Sequence, residues 1–362
     1  MLDLARPLLY SKLWLNATSP EEIRIAEASQ GFDRWGDPEA PYLTELRRQA
    51  HLYKVFAARP EYGSYVKSLQ LLLDNRVDGG RSPATHFLAA FSTLRRLEIV
   101  GDAMSRPYKN TFLSIVDNCP RSITRLNLAT SDLPVKLIYE LLEKVPFLAN
   151  LCVDVEEEDP DSSRPALPTT PLVLRHLRTL QLRKSTQISS FFATIVQASP
   201  VLATLDVDYT TVQTLDPACF TRILHLTIMD VFEETWPRRY PSRSPVDYSD
   251  NFATIIQACT SLESFEIDTF LSTVGAERVA GLEVLHLLPP TLRDLTLCDI
   301  RFTTSYLFDF LSSFRSNTTP LNLKLTHLDE FLLEDGEPVS DPVAAEQVEE
   351  LCEKRKISLK WL

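Results

Sequence analysis

The sequence predicts an α/β fold in which a short strand and a helix alternate many times along the chain. Two stretches carry nearly the same phrase, FFATIVQASPVLATLDV at 191–207 and NFATIIQACTSLESFEI at 251–267, and a looser copy, NTFLSIVDNCPRSITRLNL, occupies 110–128. Each copy combines an apolar stripe of helical spacing, a corner and an L-x-x-L-x-L stretch with the alternation of a strand. Because one such unit cannot bury its apolar face alone, the repetition predicts a solenoid.

The repeated unit is a leucine-rich repeat, because its strand anchors recur at the spacing of that class. Successive anchors lie 21 to 39 residues apart, mostly close to the roughly 20–29 residues typical of the repeat. The anchors are Leu69, Leu97, Leu126, Leu151, Leu180, Leu205, Leu226, Phe265, Leu295, Leu323 and Leu359. We therefore expect about 11 parallel strands on the concave face of a horseshoe, with helices on its convex face.

The segments between the anchors carry apolar residues at i, i+3, i+4 and i+7, the spacing of an amphipathic helix. Ile138, Leu141, Leu142 and Val145 form one such stripe, and similar stripes lie within 112–119, 252–259 and 307–314. One face of each helix is therefore expected to pack on the strand layer.

The N-terminal part differs from the repeats. Residues 1–60 are predicted to form a helical lead-in, or cap, that begins with an apolar stripe over 4–15. A second helix is predicted over 42–58. Its expected buried face consists of Leu43, Leu46, Ala50, Tyr53 and Ala57. A cap of this kind covers the apolar edge that the first repeat would otherwise expose.

The repeat domain is expected to span 61–362 and to end in a C-terminal cap over 341–362. Asp341 before Pro342 predicts a helix start, and Ile357, Leu359 and Trp361 alternate as a closing strand. Three segments lack a stripe. They are 156–171, predicted as a proline-stiffened convex segment, 233–250, predicted as a loop insertion, and 329–341, predicted as an acidic loop.

Composition and charge oppose several classes of partner. The net charge is −12, from 37 Lys and Arg against 49 Asp and Glu, which opposes binding to nucleic acid or to an acidic membrane. The six cysteines form no C-x-x-C pair and predict buried thiols in a reducing compartment. No signal peptide and no apolar run of roughly 20 residues is found, so we expect a cytoplasmic or nuclear protein.

The sequence also lacks the motifs of common catalytic and cofactor sites. It contains no G-x-S-x-G, Walker-type loop, H-E-x-x-H or G-x-G-x-x-G. Cys119, Cys259 and Cys352 end helical stripes and are expected to pack in the core. Cys152 and Cys298 are expected on the concave face, where neighbouring acids keep a thiol inert. We therefore predict no catalytic residue, no cofactor and no metal.

Three stretches resemble fungal F-box/leucine-rich-repeat proteins. The segment CTSLESFEI at 259–267 is similar to their cysteine-containing repeats. The opening LARPLLYSKLWL at 4–15 resembles the segment that directly follows an F-box, and HLYKVFAARPEYGSYVKSLQL at 51–71 resembles the helix, proline and first strand that come next. The resemblance covers nearly the whole chain.

The resemblance implies a non-catalytic scaffold similar to the substrate-recognition part of a cullin-RING ubiquitin ligase subunit. The F-box would lie before Met1, so the Skp adaptor is expected as a partner only if such a segment exists. The asparagine usual at the ninth repeat position is absent, so backbone groups at the corners must be satisfied otherwise. The alternatives are a leucine-rich-repeat regulator of a GTPase, or a relic of an F-box gene that has no partner.

Strand alternation predicts which side chains a partner would meet. Alternate residues of each L-x-x-L-x-L unit point to the concave face, away from the helices. The expected partner-binding residues are Arg96, Arg125, Asn150, Asp154, Arg183, Asp206, Asp208, Glu266, Asp268 and Asp294. Arginines are frequent in the first half and acids in the second. This change of sign would orient a bound protein by electrostatic complementarity.

Overall fold

The fold is described from a computed structural model. The residues it describes are 10–16, 51–73, 87–101, 108–130, 135–154, 172–183, 189–230, 249–269, 285–298, 304–314, 321–325, 331–332, 338–339 and 342–361. They divide into two compact units, Met1–Pro200 and Val201–Leu362. The predictions for 156–171 and for 233–248 lie outside the described residues, as do Leu43, Leu46 and Ala50 of the predicted helix over 42–58.

The first unit contains a run of parallel strands in chain order. Each pairs in register with the next along the sequence. They are β1 (Lys12–Asn16), β2 (Ser68–Leu73), β3 (Arg96–Gly101), β4 (Arg125–Ala129), β5 (Asn150–Asp154) and β6 (Thr179–Arg183).

The second unit repeats this arrangement and adds a small hairpin. Its parallel strands are β7 (Thr204–Asp208), β8 (His225–Asp230), β9 (Ser264–Thr269), β10 (Asp294–Cys298), β11 (Asn322–Leu325) and β14 (Ser358–Trp361). The hairpin strands, β12 (Phe331–Leu332) and β13 (Pro338–Val339), pair antiparallel. The hairpin lies where the sequence predicted only an acidic loop.

Helices alternate with the strands. They are α1 (residues 51–58), α2 (Tyr108–Asn118), α3 (Val135–Lys144), α4 (Ser189–Ala198), α5 (Tyr209–Thr214), α6 (Ser249–Ala258), α7 (Thr304–Ser313) and α8 (Pro342–Arg355). Short 3-10 helices at Pro60–Tyr65, Leu88–Ala90 and Pro217–Arg222 precede β2, β3 and β8.

In-register columns of apolar side chains form the core. Leu126, Leu151 and Leu180 face one another across β4, β5 and β6, and none is more than 2% exposed. Burying a leucine side chain stabilises the fold by roughly 1.5–3 kcal/mol. In α3, Ile138 and Leu142 are fully buried, as the helical stripe predicts. All eleven predicted anchors lie in parallel strands, which confirms the α/β leucine-rich-repeat solenoid.

The N-terminal segment departs from the prediction. Lys12–Asn16 is a strand paired with β2, not part of a helix. Leu13 and Leu15 fit the alternation of a strand as well as a helical stripe, and the free edge of β2 decides between them by offering backbone hydrogen bonds. The solenoid therefore begins one strand earlier than the anchors indicated.

An aromatic cluster attaches α1 to the first repeats. Tyr53 stacks on Phe87 with ring centroids 5.5 Å apart, and Phe56 meets Phe91 edge to face at 5.3 Å. Tyr53 and Phe56 are buried, whereas Ala57 is exposed. The predicted face of α1 is therefore correct at Tyr53 and wrong at Ala57, because the larger Phe56 ring takes the place toward the core.

The C-terminal residues form a helix followed by a strand. Helix α8 begins at Pro342 and buries Val348 and Cys352. Strand β14 then pairs with β11, with Leu359 opposite Leu323.

Candidate functional site

The open strand face consists of the first, third and fifth residues of each parallel strand, which alternate with the buried anchors. In β4, for example, Arg125 is exposed and Asn127 and Ala129 are half-buried, whereas Leu126 and Leu128 are buried. The in-register pairing lines these positions up in rows from strand to strand. Neighbouring strands lie roughly 4.8 Å apart, so each row presents closely spaced side chains.

In the first unit, the open strand face carries a small polar network. An Arg96 guanidinium nitrogen lies 3.1 Å from a carboxylate oxygen of Glu98, two residues along β3. The other Glu98 oxygen accepts a 3.4 Å hydrogen bond from the Gln70 amide on β2. Arg96 is thus oriented by its own strand, while Arg125 lies opposite it on β4, exposed to solvent.

Three further candidates lie on β5 and β6. Asn150 is half-buried and pairs with Arg125 on one side and Thr179 on the other. Asp154 ends β5, is half-buried, and lies in register with Arg183 of β6. The register therefore places a predicted acid and a predicted base at paired positions of adjacent strands.

In the second unit, the candidates lie on β9 and β10. Glu266 is half-buried and lies in register with Thr227 and Thr296. Asp268 lies in register with Cys298 of β10. The Asp294 carboxylate accepts a 2.9 Å hydrogen bond from the Asn322 amide of β11. Asp294 and the half-buried Glu266 are thus acidic side chains on neighbouring strands.

Two predicted surface residues are not exposed. Asp206 is 7% exposed and Asp208 is 2% exposed, so the expectation that both are open to solvent is wrong. Asp208 is the N-cap of α5, and its carboxylate accepts from the Thr211 backbone N–H at 2.7 Å and the Thr211 hydroxyl at 3.0 Å. An acid directly before a short helix is a capping signal that strand alternation alone overlooks.

In three places a hydroxyl hydrogen bond connects a repeat to the one before it. We define the corner position as the residue four before each strand anchor. There, Ser122 donates to the Leu94 carbonyl at 2.8 Å and Thr291 to the Leu262 carbonyl at 2.7 Å. The Thr93 hydroxyl lies 2.5 Å from the Ser64 carbonyl oxygen and 3.3 Å from the Val66 carbonyl oxygen. These bonds satisfy corner carbonyls of the preceding repeat.

Sequence reasoning missed an aromatic pair at two neighbouring corner positions. Phe147 and His176 occupy the corner positions before β5 and β6. The Phe147 side chain is 55% exposed, and its ring lies 5.7 Å from the His176 ring, at 38°. Alignment of the corner positions along the strand anchors would have revealed this pair.

The cysteines that end helical stripes are poor nucleophiles. Cys259 and Cys352 are buried as predicted, whereas Cys119 is only half-buried. Burial raises the pKa of Cys259 to about 12 and, with a smaller contribution from Glu349, the pKa of Cys352 to about 11. Burial also raises the pKa of Cys119 to about 12 despite the opposing effect of Lys144. Because thiolates are the reactive species, these thiols are inert at neutral pH.

The raised pKa of Cys259 predicts a loss of stability at high pH. Above its ordinary value of 9.0 the unfolded thiol ionises while the folded thiol stays protonated up to about pH 12. The folded state then binds more protons than the unfolded state does. The stabilisation that the protonated Cys259 thiol gives the folded state is therefore complete below pH 9 and is lost as the pH rises toward 12. In urea unfolding, the stability difference between wild type and Cys259→Ala should shrink between pH 8 and pH 11. The neighbouring Ile256→Val variant should show no such change, and equal pH dependence in both variants would contradict the explanation.

In the part of the chain that the structure describes, no helix combines the length and apolar character required to cross a membrane. No group of three His, Cys, Asp or Glu side chains converges within those same segments as a metal site would require.

The register, the buried columns and the open strand face define the class of the protein as an α/β leucine-rich-repeat solenoid. No family model and no curated protein sequence matches the chain. Among solved structures, the leucine-rich-repeat-containing protein LegL7 from Legionella pneumophila is 13% identical, with a TM-score of 0.41 over 84% of this chain and 93% of that chain.

The Rad7 and Elc1 complex from yeast is a second similar structure, at 12% identity and a TM-score of 0.47 over 81% of this chain and 72% of that chain. The TM-scores and sequence identities of both structures are low, so the class of this protein rests on its own strand register and on the burial of its anchors.

Proposed function

We propose that this chain is a non-catalytic scaffold that recognises another protein on its open strand face. The observation that supports the proposal most is the in-register alternation of buried anchors with partly exposed polar residues. Such a face offers hydrogen-bonding and charged groups at fixed spacing on rigid strands, which lowers the entropic cost of ordering a binding surface.

The charges of the face support polar contacts within each unit. Arg125 is exposed on the first unit and suits an acidic group of a partner, whereas Glu266 and Asp294 give the face of the second unit an acidic character. Complementary charge on the partner would favour binding to each of these positions. Arg96, Asn150, Asp154, Arg183 and Asp268 remain proposed contact residues. Asp206 and Asp208 are better explained as internal polar groups.

The resemblance to fungal F-box/leucine-rich-repeat proteins supports a finer proposal. In that setting the bound protein would be a substrate destined for ubiquitination by a cullin-RING ligase, in the cytoplasm or nucleus. Attachment to the Skp adaptor would require an F-box segment before Met1. The negative net charge supports a protein partner over nucleic acid or an acidic membrane.

Site-specific photo-crosslinking tests the proposed face. A benzoylphenylalanine introduced at Thr296, between Glu266 and Lys324 in register, should give discrete protein adducts in a cell extract. The same group at the exposed Glu350 of α8 should give none. Glu266→Lys should reduce the Thr296 adduct about tenfold, since truncating or reversing an interfacial charge costs over 1 kcal/mol.

Two outcomes would count against the proposed face. One is equal labelling from Thr296 and Glu350, which would indicate non-specific contact. The other is a Thr296 adduct that persists unchanged in Glu266→Lys. A matched variant, Glu350→Lys, makes the same charge change on α8 and should leave the adduct intact.

A further inference from the structure

One edge of the first unit combines exposed aromatic and apolar side chains. Phe147 and His176 occupy the corner positions before β5 and β6, and their rings contact each other. Phe147 is 55% exposed and Val173 is 51% exposed. Neighbouring exposed apolar side chains often mark an interaction site.

Positive charge surrounds these side chains. Arg121, Arg175 and Arg178 are all exposed. They form no ion pair and no side-chain hydrogen bond within the segments that the structure describes. The chain segments leading into β4, β5 and β6 contain no Asp or Glu. These segments are 119–124, 145–149 and 172–178.

Backbone hydrogen bonds place these residues on a continuous strip. The Ala149 N–H donates to the Thr124 carbonyl at 2.8 Å, and the Arg178 N–H donates to the Ala149 carbonyl at 2.8 Å. The corners before β4, β5 and β6 are therefore neighbours in space. We call this strip, made of Arg121, Phe147, Val173, Arg175, His176 and Arg178, the Phe147 ledge.

We propose that the Phe147 ledge binds a partner segment in which an apolar side chain is flanked by carboxylates. Exposed arginines accept carboxylates in bidentate geometry, and an aromatic ring beside them supplies apolar contact area. Arg and aromatic residues dominate the energy of protein interfaces. This inference rests on the proposed function for the kind of partner, but it places the contact on a different surface.

An acidic peptide fits the ledge better than a nucleic acid does. Nucleic acids are long polyanions that need many cations along their path. The ledge offers three arginines on a chain whose net charge is −12. A short segment can satisfy the arginines without approaching the acidic remainder of the molecule.

Fluorescence anisotropy with a labelled peptide tests the ledge. The probe is a synthetic peptide containing Glu-Glu-Asp-Leu three times, titrated with the full chain. The double variant Arg175→Glu and Arg178→Glu should weaken peptide binding about tenfold or more. The control, Lys54→Glu with Lys354→Glu, makes an equal charge change at exposed sites elsewhere and should change peptide binding less than about twofold.

A second pair of variants tests the aromatic part of the ledge. Phe147→Ser installs the residue that Ser122 has at the preceding corner and should weaken peptide binding about fivefold or more while the urea unfolding midpoint stays close to wild type. Leu287→Ser removes another exposed apolar side chain, 36% exposed, and should leave binding unchanged.

Several results would overturn the proposal. These are no peptide binding at millimolar concentration, equal effects of the ledge and control variants, or tighter binding of a single-stranded RNA of equal charge. A dimer in sedimentation that Phe147→Ser dissociates would assign the ledge to a second copy of the chain instead. Thr296 crosslinking measured on the same variants separates failure of the ledge from failure of the open strand face.

Discussion

Phe265→Ala should destabilise the second unit by about 3–5 kcal/mol, the usual cost of removing a fully buried phenylalanine. Phe265 has no exposed surface and lies in register between Leu226 of β8 and Leu295 of β10. Its removal leaves a cavity in the apolar column that joins three repeats. The measurement is the midpoint and slope of urea unfolding followed by circular dichroism.

Two further variants make this result specific. Phe265→Leu restores the residue found at most other anchors and should cost less than about 1.5 kcal/mol, since it preserves apolar volume. Phe147→Ala makes the same truncation on an exposed ring and should cost less than about 0.5 kcal/mol. A loss below about 1 kcal/mol in Phe265→Ala would mean that neighbouring repeats collapse into the cavity.

Asp208→Ala should destabilise the protein by about 2 kcal/mol, because it removes an N-cap and leaves buried donors unsatisfied. The carboxylate accepts both the backbone N–H and the hydroxyl of Thr211, and neither residue is more than 2% exposed. Thermal unfolding of the purified variant measures the loss.

Asp208→Asn is the matched control for that prediction. Its amide oxygen can still accept the Thr211 N–H, so most of the stability should remain. Equal losses in Ala and Asn variants would show that the negative charge, and not the capping geometry, stabilises the start of α5. Charge reversal at Asp208 would unfold this region, so it cannot serve as a test of partner binding.

The strand ladder could be predicted because its signal is periodic. Anchors such as Leu126 and Leu226 recur with the alternation of a strand, and a helical stripe precedes most of them. Within each unit the ladder strands then fall into register with their neighbours, since a slip by one residue would turn the anchors to the solvent side. The burial of Cys259 and Cys352 followed from the same periodicity.

Features that depend on a neighbouring element could not be predicted in this way. The strand at Lys12–Asn16 forms because β2 offers it an edge, although its leucines also fit a helix. The burial of Asp208 depends on α5 beginning immediately after β7. The exposure of Phe147 is visible only by comparison with Ser122 and Thr93, whose hydroxyls make the bonds that it lacks.

Strand order has a consequence for how the chain is made. Within the first unit, each strand pairs with the one synthesised just before it, from β1 to β6. Contacts between sequence neighbours close short loops, so their formation is fast and does not wait for distant segments. Each strand that leaves the ribosome can therefore pair at once with the strand made before it. The first unit can in this way fold during translation, from its amino terminus onward.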